Sequence, residues 1–94
     1  MKQNPDQKLN MKDAYAKYTE AIHLKCPSAA TNAKLHANRA QLNLKLKNYG
    51  KVIQDCRVCL KFDPDYVKGY YRYAKALNTL GKYEETIKLL ENRK

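Results

Sequence analysis

Apolar residues recur at intervals of three and four along most of this chain, which is the spacing of amphipathic helices. No stretch alternates apolar and polar residues in the way a half-buried strand does, so the predicted fold class is all-α. The predicted helices span about 5–25, 31–47, from the turn at 48–50 to Phe62, 65–80, and from Tyr83 onward.

Specific residues predict where these helices start and stop. Asn4-Pro5-Asp6 is typical of a helix start, with Asn as the cap and Pro in the first turn, and Pro27 ends that helix. Pro64 stops the third helix, because the residue before a proline is steered away from helical angles. Asp65 is the predicted cap of the fourth helix and Gly81 its C-terminal stop.

Two segments of the chain match when one is shifted so that Lys34 falls on Lys68, and this repeat shift also carries Asn38 onto Arg72. A period of about 34 residues is typical of stacked helix-turn-helix repeats, which use their concave face for binding. The other matching pairs are Ala40 and Ala74, Leu46 and Leu80, Tyr49 and Tyr83, and Ile53 and Ile87.

Small, aromatic and turn residues recur at fixed places in these segments: Tyr18, Ala21, Ala40, Tyr49, Pro64, Tyr70, Ala74, Leu77, Gly81 and Tyr83. They resemble the signature of the tetratricopeptide repeat, a pair of antiparallel helices, over about residues 10–94. The resemblance implies one right-handed superhelical domain, 1–94, with a partial first repeat at about 5–26, a second at 33–66 and a third at 67–94. We expect such a chain to be a fragment of a larger protein, with an exposed apolar end available for self-association.

A narrower resemblance rests on Asn38-Arg39-Ala40, on Tyr49, Ile53, Asp55 and Cys56, and on Lys68-Gly69-Tyr70-Tyr71-Arg72. These segments are similar to the dicarboxylate-clamp subset of the family, and within it to the tetratricopeptide repeat protein 4 type and its fungal relatives. Members of that subset are co-chaperones that grip the acidic C-terminal tails of cytosolic heat-shock chaperones. The resemblance implies that Asn38, Lys68 and Arg72 bind peptide carboxylates.

The spacing of these residues suits such a clamp. Lys68 and Arg72 lie four residues apart on one helix, so both cations can reach one anion, and Asn38 adds an amide donor. The family clamp also uses a Lys and an Asn on an earlier helix. Gln3 aligns with that Asn, whereas the Lys position precedes Met1. Lys45 is a further expected contact, for acidic residues upstream in the peptide.

Composition limits the function classes. Ninety-four residues with 44% hydrophobic content suit one small folded domain, and no apolar run approaches the roughly 20 residues of a membrane span. Three cysteines without an export signal indicate a reducing compartment, so we expect a cytoplasmic protein. The net charge of +10 favours acidic partners, although the lysine-rich composition accounts for part of it.

Other chemistry has weaker support in the sequence. Cys56 and Cys59 have the spacing of a redox or metal pair, but they fall on an apolar helix face, where we expect core packing. Arg39 is expected to form a structural ion pair with Asp55. We expect no metal, no cofactor and no catalytic site, because neither histidine has a partner at an interpretable spacing.

The leading hypothesis is therefore a non-catalytic co-chaperone module that docks the acidic tail of a heat-shock chaperone of the Hsp90 or Hsp70 class. A general scaffold that binds an internal segment of a partner is the alternative. Binding of RNA or another polyanion by the lysines and eight tyrosines is the third reading.

Overall fold

The computed structural model describes the backbone of residues 5–92 and the side chains of residues 11–91, and in that range it contains helices and no strands. All five predicted helices are present. They are α1 (Pro5–His23), α2 (Ala29–Lys45), α3 (Tyr49–Phe62), α4 (Val67–Thr79) and α5 (Tyr83–Asn92).

Three helix starts differ from the prediction. Helix α3 begins at Tyr49, inside the segment 48–50 that was predicted to be a turn. Helix α2 begins two residues before Thr31, because the side chain of Ser28 accepts a hydrogen bond from the Thr31 amide at 3.2 Å and caps the helix. The prediction that Asp65 caps α4 was wrong, since α4 begins only after Tyr66. The amide of Asp65 instead donates to Asp63 Oδ1 at 3.1 Å, which makes it part of the turn after Pro64.

Helices α2 and α4 end in the same way, at positions that the repeat shift superposes. Lys47 and Gly81 both adopt left-handed backbone angles, with φ of 63° and 77°. A glycine is favoured in this conformation, so the predicted stop at Gly81 is confirmed. The amide of the next residue then bonds back to the helix, from Asn48 to the Asn43 carbonyl and from Lys82 to the Leu77 carbonyl, each at 2.8 Å.

The helices stack in chain order, and each packs on the next one. Helix α2 also contacts α4 directly, so the first helices of neighbouring hairpins lie side by side. The core between them is built from small side chains, whereas Leu35, Leu42 and Leu46, predicted to be buried, are only half-buried. Small side chains let helix axes approach closely. The fully buried core residues are Ala33, Ala37, Ala40, Val52, Cys56, Cys59 and Ala76.

Helix α5 presents an apolar face to solvent. Tyr83, Ile87 and Leu90 are each more than half exposed. The repeat shift superposes Tyr83 on Tyr49, but Tyr83 does not pack into the repeat as Tyr49 does. Tyr49 is half-buried against the core, because α4 covers it. Tyr83 lies on α5, which no further helix covers within the described residues.

Candidate functional site

Arg39, the cationic residue that follows Asn38 in the sequence, is not part of the candidate site. Arg39 donates from Nη2 to Asp55 Oδ1 at 2.7 Å and from Nε to both carboxylate oxygens at 3.1 and 3.2 Å. Its Nη1 donates to Thr19 Oγ1 on α1 at 3.0 Å, and the guanidinium lies 5.6 Å from the centre of the Tyr15 ring. The predicted structural ion pair between Arg39 and Asp55 is confirmed.

This ion pair is embedded in a buried polar cluster on α2 and α3. The carboxylate of Asp55 also accepts a hydrogen bond from Asn43 Nδ2 at 3.0 Å and lies 3.4 Å from His36 Nδ1. Burial alone would raise the pKa of Asp55, but the hydrogen bonds from His36 and Arg39 and the charge of Arg39 outweigh it and lower the pKa. Asp55 is therefore an ionised structural anchor that ties the first three helices together through Arg39.

Arg72 bridges two hairpins at the place where the sequence predicted a clamp. From α4, its Nη1 donates to the backbone carbonyl of Ala37 on α2 at 2.6 Å. That carbonyl belongs to the peptide bond that joins Ala37 to Asn38. The structure thus brings Arg72 against the segment of α2 that carries Asn38. Arg72 is half-buried, and within residues 11–91 one of its donors is used.

The other predicted site residues lie along the same two helices. Lys68 is exposed one turn before Arg72 on α4, and it forms no ion pair with any residue from 11 to 91. Asn38 is half-buried on α2, and Lys45 is exposed in the last turn of that helix. Gln3 lies outside the described residues.

We call the surface where these two helices lie side by side the α2–α4 groove, and define it by residues 38, 41 and 45 of α2 and 68, 72 and 75 of α4. Helices α2 and α4 contain no Asp or Glu, so no carboxylate on either helix offsets the cations. The sequence reasoning missed Gln41 and Lys75, which line this groove. The signal was available, because the repeat shift carries Gln41 onto Lys75.

Cys56 and Cys59 pack in the core, as predicted. Both are fully buried, and desolvation is the main cause that raises the pKa of Cys56 to about 12 and that of Cys59 to about 11. Both thiols are therefore neutral at physiological pH. Between residues 11 and 91, no three His, Cys, Asp or Glu side chains are grouped closely enough to hold a metal ion.

Comparison with known proteins gives close relatives. The chain is 41% identical over 81 residues to the tetratricopeptide repeat protein 4 homolog of Dictyostelium discoideum, a match that covers 86% of the chain and 20% of that protein. It is 43% identical over 74 residues to the Hsp70/Hsp90 co-chaperone CNS1 of Saccharomyces cerevisiae, covering 79% of the chain and 19% of the relative. No protein-family model matches the chain.

A solved structure has the same fold. The Hsp90 co-chaperone Cns1 from Saccharomyces cerevisiae superposes with a TM-score of 0.80 at 40% identity, over 84% of the chain and 25% of that structure. This likeness confirms the predicted all-α superhelix of antiparallel helix pairs. The chain spans about a fifth of the length of the curated relatives it matches. In the described part of the chain, no helix combines the length and the apolar character needed to cross a membrane.

Proposed function

We propose that this chain, a tetratricopeptide-repeat domain, is a non-catalytic peptide-binding module that docks the acidic C-terminal tail of heat-shock chaperones of the Hsp90 or Hsp70 class. The observation that carries the proposal is the hydrogen bond from Arg72 to the Ala37 carbonyl. This bond holds Arg72 of α4 beside Asn38 of α2. The repeat shift makes these two positions equivalent.

The terminal residue of an acidic peptide carries two carboxylates, one on its side chain and one at the chain end. Several donors are needed to replace the water around them. Within residues 11–91, Arg72 has further guanidinium N–H groups to donate and the Lys68 ammonium, one turn away, forms no ion pair, while Asn38 supplies an amide. In this proposal these three side chains bind the terminal residue.

The electrostatics of the α2–α4 groove favour the same ligand. Arg39 is neutralised by Asp55, but Lys68 and Lys45 form no ion pair within residues 11–91. A groove lined by unpaired cations attracts an acidic peptide and speeds its association at low salt. Lys45 lies toward the C-terminal end of α2 and would contact acidic residues upstream in the peptide. Gln3 remains a predicted contact for the terminal residue.

The relatives support this choice of partner. The yeast protein that is similar to the chain is named an Hsp70/Hsp90 co-chaperone, and the yeast structure is named an Hsp90 co-chaperone. Those names describe proteins that work with chaperones, which supports a binding role without catalysis. A cytoplasmic location follows from the proposal, because these tails belong to cytosolic chaperones and the three cysteines are free thiols.

Calorimetric titration with a peptide ending in Glu-Glu-Val-Asp tests the proposal. We expect the free acid to bind and the C-terminal amide to bind at least about tenfold more weakly, because amidation removes one of the two terminal carboxylates. Equal affinity for the two peptides would overturn the proposal. Stronger binding of unrelated RNAs than of the acid peptide, with a steep salt dependence, would favour polyanion binding instead.

One observation favours a second candidate function, a scaffold that binds an apolar segment of a partner. The exposed face of α5 formed by Tyr83, Ile87 and Leu90 is a surface of that kind, and it could also serve self-association. Binding on α5 would survive an excess of acidic peptide. Loss of partner capture on addition of the peptide would assign the interaction to the α2–α4 groove.

A further inference from the structure

A cavity of about 260 Å³ lies where α1 approaches the turn between α2 and α3. Helix α1 packs on α2 and, within the described residues, not on α3, so a gap remains between α1 and α3. We call this cavity the α1–α3 pocket. It shares no residue with the α2–α4 groove. Its lining residues are Lys12, Tyr15, Leu46, Asn48 and Lys51.

Two ammonium groups line the α1–α3 pocket, that of Lys12 from α1 and that of Lys51 from α3. Both side chains are exposed, and neither forms an ion pair within residues 11–91. The acidic residue closest to each in the sequence, Asp13 and Asp55, is paired with a different cation. Two like charges beside one cavity repel each other, and an anion between them relieves that repulsion. The pocket therefore favours a negatively charged occupant.

The remaining lining is apolar on one wall and carries an amide. Tyr15 and Leu46 are half-buried, and the guanidinium of Arg39 lies 5.6 Å from the centre of the Tyr15 ring. A ring that is already packed loses little conformational freedom when a ligand binds beside it. Asn48 is exposed, and its side chain makes no hydrogen bond that caps α3, so its amide can donate to a ligand.

This combination suits a phosphate better than a carboxylate. A phosphate monoester carries a charge of about −1.5 to −2 at neutral pH and three acceptor oxygens, which match two ammonium groups and one amide donor. A carboxylate carries one charge, and its planar geometry matches the fork of an arginine rather than the point charge of a lysine. The group esterified to the phosphate would pack on Tyr15 and Leu46.

We infer that the α1–α3 pocket binds a phosphate monoester whose ester group is small and apolar or aromatic. Lys12 and Lys51 bind the phosphate, Asn48 donates to it, and Tyr15 and Leu46 hold the ester group. The inference goes beyond the proposed function and does not depend on it, because the pocket and the α2–α4 groove have no residue in common. Such an ester occurs as a free small molecule and as a phosphorylated side chain of a protein.

The test titrates the isotope-labelled chain with phenyl phosphate and with phenyl sulfate, and follows the backbone amides by NMR. The two esters have the same shape, but the sulfate carries a single charge. At pH 7.5 we expect phenyl phosphate to bind at least about threefold more tightly, with shifts centred on residues 46–51. At pH 5 the preference should disappear, because the second proton of a phosphate ester is lost at about pH 6.

Variants assign the preference to the pocket. In the double variant Lys12→Gln with Lys51→Gln, the two esters should bind equally at pH 7.5. The double variant Lys61→Gln with Lys88→Gln loses the same charge from exposed positions on α3 and α5 and should keep the preference. Lys68→Gln, which weakens the proposed clamp, should also keep it.

The outcomes separate this inference from the proposed function. Equal binding of the two esters to the unmodified chain, or the same loss of preference in the Lys61 and Lys88 control, would overturn the phosphate site. Shifts centred on Asn38 and Arg72 instead of residues 46–51 would assign the anion to the α2–α4 groove and overturn it as well. A short peptide with blocked ends and a central phosphotyrosine separates the two sources. Binding as tight as that of phenyl phosphate assigns the site to a phosphorylated side chain, and much weaker binding assigns it to a free ester.

Discussion

Arg72 and Ala37 are joined by a 2.6 Å hydrogen bond from a guanidinium nitrogen on α4 to a backbone carbonyl on α2. The bond fixes a side chain of the proposed site to the backbone of the neighbouring hairpin. A side chain that is already immobilised loses less conformational entropy when a ligand binds. The geometry of the clamp therefore depends on how closely α4 packs against α2.

The ion pair between Arg39 and Asp55 should contribute strongly to stability. Asp55 is almost fully buried, so replacement of Arg39 by methionine leaves a carboxylate without its cation in the protein interior. We expect Arg39→Met to lower the free energy of unfolding by about 3 kcal/mol, measured by urea denaturation. Lys17→Met removes an exposed ion pair with Asp13 and should change the free energy of unfolding by less than about 0.5 kcal/mol. Equal effects of the two substitutions would contradict the structural role of Arg39.

Asp55 should also give the domain a characteristic loss of stability in acid. Its folded-state pKa lies below the ordinary value of 3.8, so the unfolded chain takes up protons more readily as the pH falls. The contribution of Asp55 is therefore complete above about pH 4 and is lost as the pH drops through the folded-state pKa. Urea midpoints at pH 7 and pH 3 should differ more for the unmodified chain than for Asp55→Asn. The same difference in both would show that Asp55 does not carry the effect.

The three thiols should differ sharply in reactivity. Cys56 and Cys59 are fully buried with raised pKa values, whereas Cys26 is only half-buried. A disulfide reagent at pH 8 should modify one thiol per folded chain quickly and all three in denaturant, because the thiolate is the reactive form. In Cys26→Ser the fast phase should disappear. A fast phase that persists in that variant would mean that the core opens readily.

The helix ends at Lys47 and Gly81 form a matched pair for mutation. Both residues have positive φ, a conformation that costs a residue with a side chain about 1 kcal/mol. Lys47→Gly should therefore stabilise the domain by about 1 kcal/mol and Gly81→Ala should destabilise it by about the same amount in thermal or urea unfolding. Gly50→Ala, in ordinary helical backbone with open space around it, should not destabilise. A loss of stability in Lys47→Gly would contradict this account of the helix ends.

The sequence predicts the helices and their order well because two signals agree, the helical spacing of apolar residues and the repeat shift. It also predicts the ion pair between Arg39 and Asp55. It does not predict that His36 and Asn43 join this pair, since polar residues at buried helical positions look like surface residues until the partner helix is known. The sequence also misplaces the start of α4, because the Asp65 amide donates to the Asp63 side chain and Asp65 lies in the turn before the helix.

The candidate site is predicted in part. The repeat shift identifies Asn38 and Arg72 as equivalent, and the structure adds the bond that brings Arg72 to the backbone beside Asn38. Gln41 and Lys75 were missed because their place in the α2–α4 groove depends on the space between α2 and α4, which helical spacing does not describe. Apolar periodicity does not distinguish Lys75 from the other lysines, so the available signal was the repeat shift that carries Gln41 onto Lys75.

The most direct test of the proposed clamp is a double-mutant cycle between Lys68 and the terminal carboxyl group of the peptide. Calorimetry would measure the ratio of affinities for a free-acid peptide and its C-terminal amide, with the unmodified chain and with Lys68→Gln. We predict a ratio of about ten or more for the unmodified chain and about two or less for Lys68→Gln, with the full ratio kept in Lys61→Gln. A ratio near one in the unmodified chain, or an unchanged ratio in Lys68→Gln, would contradict the clamp.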